Sequence, residues 1–333
     1  EGFMVGLNIV YETVPERFAM ILDKSNPEFN NLPGIGVLVG GMWVANLYYW
    51  GFNQYIIQRT LAAKSLKEAQ KGILFAAFLK LIIPLIVVIP GIAAYVMIND
   101  PEIMARLGDV ALTNIPSLEQ ADKAYPWLLQ FLPTGLKGVA FAALAAAIVS
   151  SLASMLNSTS TIFTMDIYKS LFNKKATDDQ MVKVGRISGF IALMIALMIA
   201  PQLGSLGQVF QFIQEYTGVV SPGILAVFLM GLFYKKSTNN AAIWGVILSI
   251  PIAMYFKLAP ESWMFVNIPF MHQMLITCIG TIIIIYAISY LEGHKNNPKA
   301  IILSKELFST SSSFNISAFL VLLITVFLYA FFQ

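Results

Sequence analysis

Gly40 to Gln58 reads GGMWVANLYYWGFNQYIIQ. The stretch sits in an apolar segment that starts at Pro33, yet its centre carries Asn46, Tyr48, Tyr49 and Trp50, with Asn53 and Gln54 following. At about 100° per residue, Asn46, Tyr49, Trp50 and Asn53 fall on one helical face. One reading is an interfacial aromatic belt, since Tyr and Trp gather where a bilayer meets water. A belt puts its rings at the ends of a span, however, and these lie about halfway along. The other reading is a stripe facing a ligand. An aromatic platform beside an amide offers a polyol a flat face for its C–H groups and a hydrogen-bond partner for its hydroxyls.

Composition places that helix in a membrane. Charged residues make up 12% of the 333 residues, against about 25% in ordinary soluble domains. Hydrophobic residues make up 57%, and the mean hydropathy is +0.72. The fold class is therefore an all-α integral membrane protein with many spans. Cys278 is the single cysteine, which excludes an intramolecular disulfide and a cysteine-based metal cluster and reads as a buried apolar residue. The net charge of +3 carries little information until the cations are sorted by loop. The chain opens on Glu1 without a signal peptide, and is expected to be the C-terminal portion of a longer protein.

Residues 1–32 mix Pro15, Pro27, Asn30 and Asn31 with five acidic residues. They read as an extramembrane loop with one short helix near Glu16 to Leu22. Residues 33–333 read as a single transmembrane bundle. It holds about eight apolar segments long enough to cross roughly 30 Å of hydrocarbon, at about 33–57, 72–98, 137–165, 185–203, 205–233, 239–258, 267–291 and 314–332. Sorting the 21 Lys and Arg by alternate loops puts fourteen on one side and six on the other, with Lys80 alone inside a span. The richer side is cytoplasmic by the positive-inside rule. The N-terminal loop and the 99–135 loop then lie outside, and the YPWLLQFLP piece at 125–133 is placed along the surface as a cap.

Polar groups inside spans are costly, so each is a candidate for function. Lys80 lies about 12 Å into the second span at 1.5 Å per residue. It either snorkels back to the interface or serves a cavity as a donor or counter-charge. Pro84 and Pro90 predict kinks in that span. In the third span, AALAAAIVSSLASMLNSTSTIF, Ala147, Ser150 and Ser151 share a face near mid-depth. A run of Ala and Ser permits close helix packing; two hydroxyls and a carbonyl are also the hard oxygen donors an alkali cation prefers. The fifth span carries Gln208, Gln211, Gln214 and Glu215, then Ser221, Pro222 and Gly223. The amides serve interhelical hydrogen bonds or a site, and the Ser-Pro-Gly predicts a bend or break. Glu215 must be paired, protonated or wet, and Lys80 is one candidate partner. His272 and His294 stand apart in the sequence, and no phosphate loop, nucleophile–base pair or carboxylate dyad occurs, so an enzyme reading and a nucleic-acid reading both lack support.

The long stretches ANLYYWGFNQYIIQRTLAAKSLKEAQKG, FAALAAAIVSSLASMLNSTSTIFTMDIY and YTGVVSPGILAVFLMGLFYKK closely resemble the sodium/solute symporter family, in its sodium/galactose and sodium/glucose cotransporter branch. The resemblance covers essentially the whole chain. It implies a LeuT-type inverted-repeat transporter, usually of fourteen spans, of which this chain would hold the last eight or so. It implies that Asn46, Lys80 and Gln214 hydrogen-bond a sugar, and that Tyr49 stacks on the sugar as an inner gate with Trp50 beside it. Ala147 through its carbonyl, and Ser150 and Ser151 through their hydroxyls, would hold a sodium ion. The family's first core helix and the polar residues of the next are absent, which would leave both sites half-built in this segment. The implied activity is sodium-coupled symport of a monosaccharide by alternating access across the plasma (inner) membrane. The alternatives are another solute, such as myo-inositol or a sialic acid, and a transporter-like sugar sensor or cation channel.

Overall fold

The structure is a computed structural model that describes residues 2–26, 29, 34–109, 112–204, 209–260, 262–264 and 268–332, with the side chains of residues 118, 119, 305 and 306 left out. Every regular element among these residues is helical. Seven helical stretches are long and apolar enough to cross a membrane: Leu66–Asn99, Thr134–Phe172, Asp178–Leu203, Val209–Phe233, Asn239–Leu258, Phe270–Leu291 and Ser312–Phe331. These correspond to seven of the expected segments. The remaining one, which contains the opening motif, is not a continuous helix. It is divided into α2 (Ile35–Val39), α3 (Gly41–Gly51) and α4 (Gln54–Leu61).

Both divisions have local causes. Gly40 adopts φ −119° and ψ −98°, away from helical values, and its N–H closes α2 on the Val37 carbonyl. At the other end the N–H groups of Phe52 and Asn53 both donate to the Tyr48 carbonyl at 2.9 Å, and Asn53 is extended, so the ladder stops there.

The chain falls into two compact units. The first comprises residues 1–17 and 80–210. Its N-terminal helix α1 covers Phe3–Thr13, upstream of the helix expected near 16–22, where Pro15–Phe18 forms only a 3-10 turn. Arg17 stacks its guanidinium 3.6 Å from the Tyr95 ring centroid on α6 (Ile83–Asn99). A turn at residues 81–82 separates α6 from α5 (Leu66–Lys80). Pro84 therefore sits in the first turn of α6, where a missing N–H costs nothing, while Pro90 is accommodated inside the helix.

Asp100 caps α7 (Pro101–Leu107) through its Oδ1, which accepts the N–H groups of Glu102 and Ile103. Helix α8 (Ala124–Leu129) exposes Tyr125 on one face and turns the other inward. Trp127 is 3% exposed and packs with the buried Ala94, because an indole gains more by removal from water than from a surface seat. Helix α9 (Thr134–Ile162) runs directly into a π-helix over Phe163–Phe172. Helix α10 (Asp178–Leu203) begins seven residues before the apolar segment because Thr177 and Gln180 form a capping box. Ser160 and Ser188 both donate to the Gly185 carbonyl, at 2.8 and 3.0 Å, so small residues set the close approach of α9 and α10.

The second unit comprises residues 18–79 and 211–333. Its core joins Val44, Leu225, Ala226, Ala241, Met274, Cys278 and Ile285, from α3, α11 (Val209–Phe233), α12 (Asn239–Leu258) and α13 (Phe270–Leu291). The last helix, α14, covers Ser312–Phe331. Three glycines let these helices meet. A Cβ on Gly41 would lie 2.0 Å from the Met271 carbonyl oxygen, one on Gly223 1.9 Å from Ser249 Oγ, and one on Gly245 2.5 Å from Ile285.

The break expected at Ser221-Pro222-Gly223 is absent, and α11 runs through it. A proline inside a helix costs about 3 kcal/mol. Ser221, Pro222, Gly223, Leu225 and Ala226 are all buried, and burying one Leu side chain alone contributes about 1.5–3 kcal/mol. Packing outweighs the local preference.

Candidate functional site

Helix α3 carries the polar stripe. Asn46 Nδ2 donates to the Met42 carbonyl one turn back at 3.0 Å, which leaves Oδ1 as the acceptor of that amide. The Tyr49 hydroxyl shares a 2.7 Å hydrogen bond with the Tyr55 hydroxyl across the α3–α4 break. Trp50 meets the Tyr49 ring edge-on, with centroids 5.2 Å apart. The ring of Tyr49 is thus braced from two sides, and the break that stops α3 is what brings Tyr55 back to it. Below the stripe, Phe52 stacks on Phe228 of α11 at 4.7 Å.

Gln214 lies on α11, and both α3 and α11 pack on α13. Gly41 meets Met271 there, and Gly218 meets Met274 at 3.2 Å from a built Cβ. Asn46 lies five residues after Gly41 on α3, and Gln214 four residues before Gly218 on α11. At 1.5 Å per residue the two amides differ in depth by about 9 Å. No hydrogen bond joins them among the described residues, so they would touch a solute at different heights. Gln208 lies outside the described residues. Gln211 donates to Glu215 Oε1 at 3.0 Å and thereby serves the helix rather than a solute.

Glu215 is where the sequence reading requires correction. Its ion-pair partner is Lys257 on α12, not Lys80. Sorting by loops grouped Lys257 with the cations of one side although it falls inside the 239–258 segment, and the structure places it in the last turn of α12. The ammonium therefore stays on the helix, where it faces α11 and lies 5.7 Å from the Tyr216 ring centroid. The available signal was a carboxylate inside a span, which requires a cation; which lysine answers it depends on helix adjacency. Glu215, Gly218, Lys257, Gln273, Met274 and Thr277 line a cavity of about 10 Å³, roughly the room of one water molecule.

In the first unit, Lys80 is the last residue of α5, at the break before α6. Ala147, Ser150 and Ser151 lie on α9. Neighbouring hydroxyls on that helix turn back to carbonyls one turn earlier: Ser154 to Ser150 at 3.0 Å, Thr159 to Met155 at 3.0 Å and Thr161 to Asn157 at 2.8 Å. Ser150 and Ser151 make no such bond among the described residues and are exposed on the helix. Hydroxyls left open in an apolar helix fit a hard cation, to which they present lone pairs.

Comparison with known proteins decides the family. The model of the sodium:solute symporter family matches residues 10–249. The chain belongs to that family. It is 59% identical over all 333 residues to a sodium/glucose cotransporter of Vibrio parahaemolyticus, spanning 60% of that relative's length. It is 37% identical over 238 residues to human sodium/myo-inositol cotransporter 2, covering 69% of this chain and 34% of that one. Among solved structures it resembles a Na+-coupled sialic acid symporter in a substrate-bound, outward-open state, with TM-score 0.64 and 22% identity over 86% of this chain and 56% of the other. This family member is thus a multi-pass, all-α membrane protein with the LeuT-type symporter fold, as its sequence implied.

Proposed function

We propose that this chain supplies solute-binding, gating and sodium-binding helices of a sodium-coupled monosaccharide symporter that works by alternating access. The observation that carries the reading is the pair of open, exposed hydroxyls at Ser150 and Ser151 on a helix where Ser154, Thr159 and Thr161 each turn back to a carbonyl one turn earlier. With the Ala147 carbonyl they would provide three oxygen ligands to sodium, and the bound charge is what couples solute entry to the membrane potential, at about 2.3 kcal/mol per charge per 100 mV. Asn46, Lys80 and Gln214 serve as hydrogen-bonding residues for the sugar, with Tyr49 as gate and Trp50 beside it.

The similarity to a protein named sodium/glucose cotransporter supports galactose or glucose as the solute. The similarity to a myo-inositol cotransporter keeps a cyclic polyol as the second reading. The protein transports rather than catalyses, within the lipid bilayer of the plasma (inner) membrane. Residues 33–333 form its transmembrane bundle, after an outer loop over 1–32. The distribution of Lys and Arg supports that orientation.

The test is uptake of labelled D-galactose by proteoliposomes containing the protein as its gene encodes it, with an inward gradient of sodium or of potassium. Concentrative uptake with sodium alone is expected, competed by D-glucose. Equal uptake with both cations would remove the sodium assignment. Competition by myo-inositol but not by glucose would favour the second reading.

A further inference from the structure

Glu215 and Lys257 are not among the residues to which a solute or sodium role falls, yet they sit beside one that is. Glu215 accepts from Gln211 through Oε1 and from Lys257 through Oε2. A single carboxylate therefore ties two turns of α11 to the last turn of α12. The pair is only about a quarter exposed, at 29% and 24%, so water screens it less than it does a surface ion pair. Removing either partner leaves a charge in a largely apolar setting.

Position on the helix sets the consequence. Gln214 precedes Glu215 and points about 100° away from it. It shares its face with Gly218 one turn inward, and Gly218 meets Met274 on α13. So when Glu215 is fixed against α12, Gln214 is turned toward the side of α11 that faces α13, on which the Asn46 helix also packs. Further inward, Pro222 has no N–H for the Gly218 carbonyl, which weakens α11 at that point. Beyond it, the Gly223–Ser249 contact binds α11 to α12. The polar contact that holds the outer piece of α11 to α12 is Glu215–Lys257.

We propose that Glu215 and Lys257 are positioning residues for solute recognition: their ion pair sets the rotation of the outer part of α11 and so the direction of Gln214. This rests on the reading of Gln214 as a solute ligand.

The experiment has two readouts on surface-expressed protein as its gene encodes it. The first is transport. Lys257→Met and Glu215→Gln should each raise the apparent KM for D-galactose about 3- to 10-fold, the range expected from a pair coupling of about 0.7–1.4 kcal/mol. Maximal rate per surface molecule should stay within about 2-fold. Lys257→Arg, and the exchange Glu215→Lys with Lys257→Glu, should return the KM toward the parent value, because they keep one charge of each sign. The second readout needs no transport. The rate of maleimide labelling at Gln214→Cys, corrected for labelling of the parent, should change several-fold when Lys257→Met is added and recover with Lys257→Arg. Cys278 is buried and contributes little background. An unaltered KM with only the amount of protein reduced would overturn the proposal, as would an unaltered labelling rate. If the parent fails to transport galactose, the galactose reading fails, and the labelling comparison still decides whether the pair orients Gln214.

Discussion

The contact between Gly223 and Ser249 gives the sharpest test of how α11 and α12 meet. A Cβ at residue 223 would lie 1.9 Å from Ser249 Oγ and 2.5 Å from Ser249 Cβ. Ordinary van der Waals contact begins at 3.4 Å, so Gly223→Ala demands a relative shift of about 1.5 Å between two buried helix surfaces. Neither neighbour yields easily. Ser249 is 1% exposed, and its hydroxyl donates to the Val246 carbonyl at 2.8 Å. Overpacking of this kind costs about 1–3 kcal/mol, more than the roughly 1 kcal/mol that Ala gains over Gly in a helix.

The melting temperature should therefore fall by several degrees, at about 2–4 °C per kcal/mol for a unit of this size. Ser249→Gly removes both clashing atoms. The double variant should recover most of the loss, short of the few tenths of a kcal/mol that glycine costs within α12. Thermal unfolding of the four proteins in one detergent measures the coupling directly, since contacting residues deviate from additivity by about 0.5–3 kcal/mol. Additive effects, or a Gly223→Ala protein as stable as the parent, would refute this packing and with it the inner anchor of α11.

Other expectations can be checked alongside. Ser151→Ala should weaken apparent sodium affinity more than it alters solute selectivity, while Asn46→Ala and Gln214→Ala should do the reverse, by about 1–2 kcal/mol per lost hydrogen bond; sodium and solute titrations of uptake separate the two. Tyr49→Ala should shorten solute residence time, measured by release after dilution, and Tyr49→Phe should lose only the tie to Tyr55. The carboxyl of Glu292, outside the membrane spans, is held below the usual carboxylate range by hydrogen bonds from Thr238 and Asn240. The stabilisation it contributes is complete above the unfolded carboxylate range and disappears as pH falls through the lowered value. Asn240→Ala should therefore raise the Glu292 pKa, followed by carboxyl titration.

Much of this protein is legible residue by residue. Hydropathy located seven of the long helical stretches, with ends up to seven residues off, because removal of apolar side chains from water is a property of each segment alone. The stripe at Asn46, Tyr49 and Trp50 and the Ser150–Ser151 pair were visible as polar side chains where lipid tolerates few. What the sequence could not determine depends on neighbours. Pro222 reads as a break until buried residues around it outweigh its cost. The sequence does not say which face of α8 turns inward, and the structure buries Trp127 against Ala94 while Tyr125 stays exposed. Lys257 falls at the end of an apolar segment, and only the packing of α12 against α11 sets it opposite Glu215, 42 residues away in the chain. Free energy of packing and of ion pairing belongs to pairs of helices, so only the tertiary structure decides which pairs exist.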